Sequence, residues 1–110
     1  MGGFRERARP GFRLPHVWLD DGRSVLDVLG PDLTLVRTDP GIDVAPWVDT
    51  ARSLGIPLTV VDLPERWPDR YPAALLLVRP DQHVAWMGGA DAHPGELLRT
   101  VTGRVTARQR

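Results

Sequence analysis

The stretch Ala74–Met87, ALLLVRPDQHVAWM, decides how this chain folds. Leu75-Leu76-Leu77-Val78 is an unbroken apolar run of strand length, the pattern of a strand covered on both faces. Arg79-Pro80-Asp81-Gln82 supplies turn chemistry, and His83 to Met87 resumes as a second strand, so the segment reads as a β-hairpin. In a short hairpin loop built on a type I turn, the last residue commonly takes φ > 0. Here that residue is Gln82, which adopts such a φ at a cost of roughly 1 kcal/mol, so Gln82→Gly is expected to stabilise the domain modestly.

Upstream of the hairpin, Leu58 to Val61 is a β-rich strand, and Leu33 to Val36 is another. Between them Val44, Trp47, Val48, Ala51 and Leu54 recur at helical spacing, with Asp43 placed to cap the helix, Pro46 tolerated in its first turn, and Gly55 followed by Pro57 to stop it. Pro64 to Pro72 is a polar, proline-punctuated connection that carries Trp67 and Tyr71. Downstream, Pro94 to about Val105 reads as a last helix with Leu97, Leu98, Val101 and Val105 inward. Near the start, Val17-Trp18-Leu19 reads as a short strand, Asp20-Asp21-Gly22 as a turn, and Ser24 as the cap of a one- or two-turn helix ended by Gly30.

Strand–helix–strand implies a parallel pair with a right-handed crossover, and the hairpin adds antiparallel strands to the same sheet. The fold class is therefore α/β: a thioredoxin-like, four-stranded mixed sheet, β-α-β then hairpin-α, flanked by helices and preceded by a short β/helical extension. Residues 1–9 are read as a flexible tail, 10–106 as the domain and 107–110 as a second tail. Pro72 stands where thioredoxin-like proteins carry a cis-proline before the third strand, although most X–Pro bonds are trans.

The chain has 110 residues, which suits one compact core. Fourteen acidic residues balance fourteen basic ones, all of the latter arginine, so no net field favours nucleic acid or an anionic membrane. No cysteine occurs, which excludes disulfides, thiolate nucleophiles, Cys-ligated zinc and dithiol redox chemistry. No apolar run approaches the ~20 residues of a membrane span, and Arg5, Arg7 and Arg9 lead into Pro10-Gly11 rather than a signal core, so a cytoplasmic protein is expected.

The words LLVRPD and HVAW of the hairpin resemble the hallmark of the C-terminal thioredoxin-like domain of FAD-dependent aromatic-ring hydroxylases, the phenol and polyketide hydroxylase group of flavin monooxygenases. The segment PGFRLPHVWLDDGRSVLDVLG is similar to the start of that domain at Pro10, Gly11, Arg13, Pro15, His16, Asp21, Gly22, Ser24, Asp27 and Gly30. Leu33-Thr34-Leu35 and Gly55-Ile56-Pro57-Leu58 match two further family segments. Gln82 departs from the family's usual glycine, and Met87-Gly88 from an arginine that often follows the Ala-Trp pair. The resemblance implies that FAD and the aromatic substrate belong to a large N-terminal body with a Gly-x-Gly-x-x-Gly turn, which these residues lack; Gly2-Gly3 and Gly88-Gly89 do not have that spacing.

No cofactor, metal or catalytic residue is therefore assigned to this chain. His16, His83 and His93 have no metal-ligand spacing, and each has a structural role available: His16 holding the Pro15 turn, His83 on a strand face shared with Ala85 and Met87, and His93 beside the start of the last helix. Asp20 and Asp21 read as solvated turn residues. Trp18, Trp47, Trp67 and Trp86 fit core or core-edge positions, with Trp67 the best placed for exposure. Trp67, Tyr71 and His16 form the candidate contact surface. The expected function is a stand-alone or excised accessory domain, non-catalytic by itself, which holds a flavin monooxygenase body or another copy of itself. The alternative is a small cofactor-independent enzyme or binding protein for aromatic polyketides, which would need a concave apolar pocket with convergent polar groups.

Overall fold

A computed structural model of the chain describes residues 8–19, 22–63 and 71–102. Its order is a 3-10 helix at Val25–Val28, β1 at Leu33–Arg37, α1 at Ala45–Leu54, β2 at Leu58–Asp62, β3 at Leu75–Val78, β4 at Val84–Gly88 and α2 at Pro94–Thr102. The strands form one sheet in the order β2-β1-β3-β4. β1 and β2 are parallel, from Leu33 opposite Leu58 to Arg37 opposite Asp62, and β3 runs antiparallel to both β1 and β4. This is the mixed thioredoxin-like arrangement that the strand–helix–strand and hairpin patterns imply. Among the described residues no peptide bond is cis, so Tyr71-Pro72 is trans.

The apolar run of β3 is buried along its whole length because it lies inside the sheet and both faces of the sheet are covered. Side chains alternate between two cores, as the strand period requires. Leu33, Leu35, Leu75 and Leu77 point to a core shared with Trp47 and Ala51 of α1 and Leu98 of α2. Val36, Leu76, Val78 and Val84 point the other way, to a core closed by Ala8, Leu14, Val17 and Val25 of the N-terminal segment together with Leu63 and Tyr71. Three layers result: two helices, the sheet, and an N-terminal strap that ends in the 3-10 helix. Each fully buried leucine of β3 contributes about 1.5–3 kcal/mol relative to an exposed one.

Local signals explain the element ends. Ser24 caps the 3-10 helix through its Oγ, which accepts from Leu26 N at 3.1 Å, while Asp27 Oδ2 accepts from Ser24 N at 3.2 Å. At α1 the capping position is Val44, one residue later than expected, yet Asp43 still serves the first turn because its Oδ1 accepts from Ala45 N at 2.9 Å. Gly55, with φ +72°, ends α1, and Ile56 N returns to Ala51 O at 2.8 Å. The helix from Pro94 is described to Thr102; Val105 lies outside the described residues. His93 contributes to its start through a backbone carbonyl that accepts from Leu97 N.

Three expectations need correction. Val17-Trp18-Leu19 is extended but joins no strand ladder; its partner is the chain just after the turn, with Val25 N donating to Val17 O and Leu19 N to Arg23 O. In β4, the register against β3 shifts by one between Trp86 and Val84, leaving Ala85 as an extra residue. That bulge breaks the expected common face of His83, Ala85 and Met87: Val84 and Met87 pack on the strap side, and Trp86 on the helix side. Trp18, expected at a core edge, is 66% exposed, because Leu14 and Val17 take the inward positions of the strap and Trp18 follows facing out.

Gln82 has φ +71°, the geometry expected at the end of the hairpin turn, with Gln82 N donating to Arg79 O and Arg79 N to His83 O. Its side chain does something the turn pattern alone does not indicate. Gln82 Oε1 accepts from Arg13 Nε at 3.1 Å and Nη2 at 2.5 Å, alongside backbone bonds from Gly11 N to Val84 O, Val84 N to Phe12 O and Leu14 N to Gln82 O. The strap is thereby stitched to the first half of β4, which would otherwise be a bare sheet edge.

Candidate contact surface

Of the three residues expected to form a contact surface, Tyr71 and His16 fall among the described residues. Tyr71 is 4% exposed, and its hydroxyl donates to Pro15 O at 2.5 Å across the strap-side core. It is a packing residue, since an aromatic with one polar tip is accommodated inside when that tip finds an acceptor. His16 is half-buried; its Nδ1 lies 2.7 Å from Ser24 Oγ, and its ring meets Trp18 edge-on with centroids 4.5 Å apart. Ser24 Oγ, which also accepts from Leu26 N, is held between the imidazole and the helix start, so His16 helps fix the capping residue. Trp67 lies outside the described residues, as do Asp20 and Asp21.

The surface that does stand out consists of Phe12, 54% exposed, and Trp18, the exposed large hydrophobics among the described residues. Both belong to the strap. The guanidinium of Arg9 lies over the Phe12 ring at 4.3 Å. Their exposure can be traced in the sequence only once Leu14 and Val17 are known to face the sheet, because PGFRLPHVW has no regular period that assigns its faces. The helix layer differs: Asp49, Arg52, Ser53, Glu96, Arg99 and Thr100 are exposed there, and Asp49 pairs with Arg52 at 3.7 Å. It is an ordinary solvated face.

The carboxyl ends of β1 and β2 are where an α/β sheet opens toward ligands. In this chain the groups there are committed to one another. Arg37 donates to Asp62 Oδ1 at 2.6 Å, to Asp62 Oδ2 at 3.2 Å and to Ile42 O at 2.8 Å. Thr38 Oγ1 donates to Ala73 O at 2.7 Å and Thr38 N to Ala74 O at 2.9 Å, which ties the lead into β3 across the strand ends.

A flavin dinucleotide would need its pyrophosphate at the start of the helix that follows a strand, with free amides facing it. Between β1 and α1, Asp39 Oδ1 takes Gly41 N at 2.9 Å and Asp43 Oδ1 takes Ala45 N. One carboxylate therefore takes the first helical amide and another takes an amide of the preceding loop, and both supply negative charge that would repel a phosphate. This strand–helix junction does not fit a dinucleotide phosphate. Among the described residues no group of three or more His, Cys, Asp or Glu could hold a metal ion, and no helix is long and apolar enough to cross a membrane.

The chain is 40% identical over 102 residues to the FAD-dependent monooxygenase opdD of Penicillium oxalicum, a match covering 84% of this chain and 19% of that protein. It is 37% identical to the tetracenomycin B2 monooxygenase-dioxygenase of Streptomyces olivaceus, covering 90% of this chain and 21% of the relative. The rebeccamycin biosynthetic enzyme RebC with reduced flavin superposes with a TM-score of 0.82 at 36% identity, over 94% of this chain and 20% of RebC. Aklavinone-11 hydroxylase in complex with FAD and aklavinone gives 0.66 at 32% identity, over 94% of this chain and 22% of that one. The chain thus spans about a fifth of the length of the relatives it matches. The family model for the C-terminal region of aromatic-ring hydroxylases matches residues 7–108, and with strands, bulged hairpin and helices all in place, the chain belongs to the aromatic-ring hydroxylase C-terminal domain family.

Proposed function

We propose that this chain is a structural module of an FAD-dependent aromatic or polyketide hydroxylase, without catalytic activity of its own, working as a free-standing subunit or as one part of a longer polypeptide in the cytoplasm. The observation that carries the reading is the β1–α1 junction, where Asp43 takes the first helical amide, that of Ala45, and Asp39 takes the loop amide of Gly41, so two carboxylates stand where a dinucleotide phosphate would sit. Its relatives are FAD-dependent enzymes of which it matches about a fifth, which supports a reading in which the flavin belongs to the rest of such an enzyme. The polar side chains best suited to chemistry are engaged in architecture: His16 with the capping Ser24, and His83 with the turn residue Asp81. A role in supporting a neighbouring body needs no pocket, only a rigid shape and a surface.

Titration of the purified chain with FAD, followed by flavin fluorescence and absorbance, is expected to show no saturable binding. Incubation with FAD, a reduced nicotinamide and phenol is expected to give no hydroxylated product. A yellow preparation, or turnover of phenol by this chain alone, would overturn the reading.

A further inference from the structure

We infer that the outer side of the strap, centred on Phe12 and Trp18 and flanked by Arg9 and His16, is the face on which the flavin-holding part of an aromatic-ring hydroxylase docks; this rests on the structural-module reading above. Two independent observations select that face and that occupant. First, the exposed aromatic surface among the described residues is confined to the strap, 54% at Phe12 and 66% at Trp18, whereas the helix layer presents charged and hydroxyl side chains. Large exposed aromatics beside an arginine are the composition of an interface centre, and a charged, lysine- or glutamate-type face is the composition of free surface. Second, the matched family region is the C-terminal one and accounts for about a fifth of RebC, so most of the RebC chain precedes it and leads directly into the segment equivalent to the strap. A body that precedes the domain is joined to it in sequence at residues 9–18, ahead of every other element.

The backbone of the strap is suited to such a load. It is fixed to β4 through Gly11, Phe12 and Leu14, and Leu14, Pro15 and Val17 are anchored in the core, so its outward side chains project from a rigid base. Docking would then cost little side-chain ordering, since the Phe12 ring already carries Arg9 and Trp18 already rests against His16.

The absence of cysteine from the chain permits a direct test. Phe12→Cys and Trp18→Cys, made singly so that the other aromatic stays, and Arg52→Cys and Arg99→Cys on the helix layer, are each placed in two settings: the chain alone, and a chimaera in which the chain replaces the matching C-terminal fifth of RebC. Maleimide labelling is followed by peptide mass mapping. In the chimaera the strap cysteines should label at least about tenfold more slowly than in the chain alone, because a thiol must be accessible to react, while the helix-layer cysteines should label equally in both. Fast labelling of the strap cysteines in a chimaera whose two parts still unfold together would overturn the proposed face and leave the module reading intact. Independent unfolding of the two parts, with all four cysteines labelling as in the chain alone, would overturn the module reading itself.

Discussion

Gly88→Ala probes whether the helix-side core depends on a space left open in β4. A β-carbon at Gly88 would lie 2.2 Å from Cζ2 of Trp86 and 2.8 Å from its Cη2. The two residues are two apart on one strand and share the face that looks toward α1, so the indole extends along the strand over the glycine. The same indole packs against Trp47 with ring centroids 5.2 Å apart and planes tilted by 41°. To admit a methyl group, Trp86 must swing off Trp47. That forfeits about 0.5–1.5 kcal/mol of ring contact and, if some ~40 Å² of apolar area is re-exposed, about 1 kcal/mol more. The methyl returns about 0.5 kcal/mol by restricting the unfolded chain. The net loss is about 1–2 kcal/mol, a fall in Tm of roughly 5–15 °C for a domain of this size. Urea unfolding followed by far-UV circular dichroism measures it without relying on tryptophan emission. The decisive comparison is the same substitution in a Trp86→Ala background, where no ring obstructs the new methyl and the change should be neutral or slightly stabilising. An equal loss in both backgrounds would refute the reasoning and place the cost in the backbone of Gly88.

Tyr71→Phe removes the donor to the buried Pro15 carbonyl and should cost about 1–2 kcal/mol by urea unfolding; an unchanged midpoint would show that the bond contributes nothing. Gln82→Gly relieves about 1 kcal/mol of left-handed strain but gives up the exposed bond to Arg13 and adds unfolded-chain freedom, so the stabilisation expected from the turn alone shrinks to within about 0.5 kcal/mol of zero. Gln82→Ala keeps the strain and loses the bond, so it should melt below Gln82→Gly; the reverse order would contradict the turn geometry. Desolvation pushes the Asp81 carboxyl up, yet the His83 amide together with the charges of Arg79 and His83 outweighs it and holds the group below its usual range. A depressed folded-state value means that the stabilisation is present above the unfolded pKa and is lost as pH falls through the folded one. Asp81→Asn should therefore flatten the decline in urea midpoint below about pH 4, and an unchanged acid slope would exclude Asp81 as its source.

The elements carried by strong local chemistry were legible in the residues themselves. The apolar run of β3, the proline and glycine that bracket α1, and the turn at Gln82 each leave one reasonable conformation, and each is found. What the residues did not reveal depends on contacts between distant parts of the chain. The bulge at Ala85 reverses the facing of Met87 relative to a regular strand, and nothing in HVAWM marks it, because it serves to aim Val84 and Trp86 at opposite cores. Tyr71 looked like a loop residue until Pro15, 56 residues earlier, supplied a buried acceptor. Trp18 looked like a core residue because tryptophan usually is one. Its exposure follows from how the strap crosses the sheet, a tertiary fact.

The bond from Arg13 to Gln82 joins positions 69 residues apart. On a ribosome adding roughly 5–20 residues per second, Arg13 is synthesised some 3–14 s before its acceptor. Throughout that interval Leu14 and Val17 have no sheet to lie on, and the nascent polypeptide exposes them to whatever else is nearby. Slower translation should accordingly lengthen the time for which this apolar segment stays uncovered.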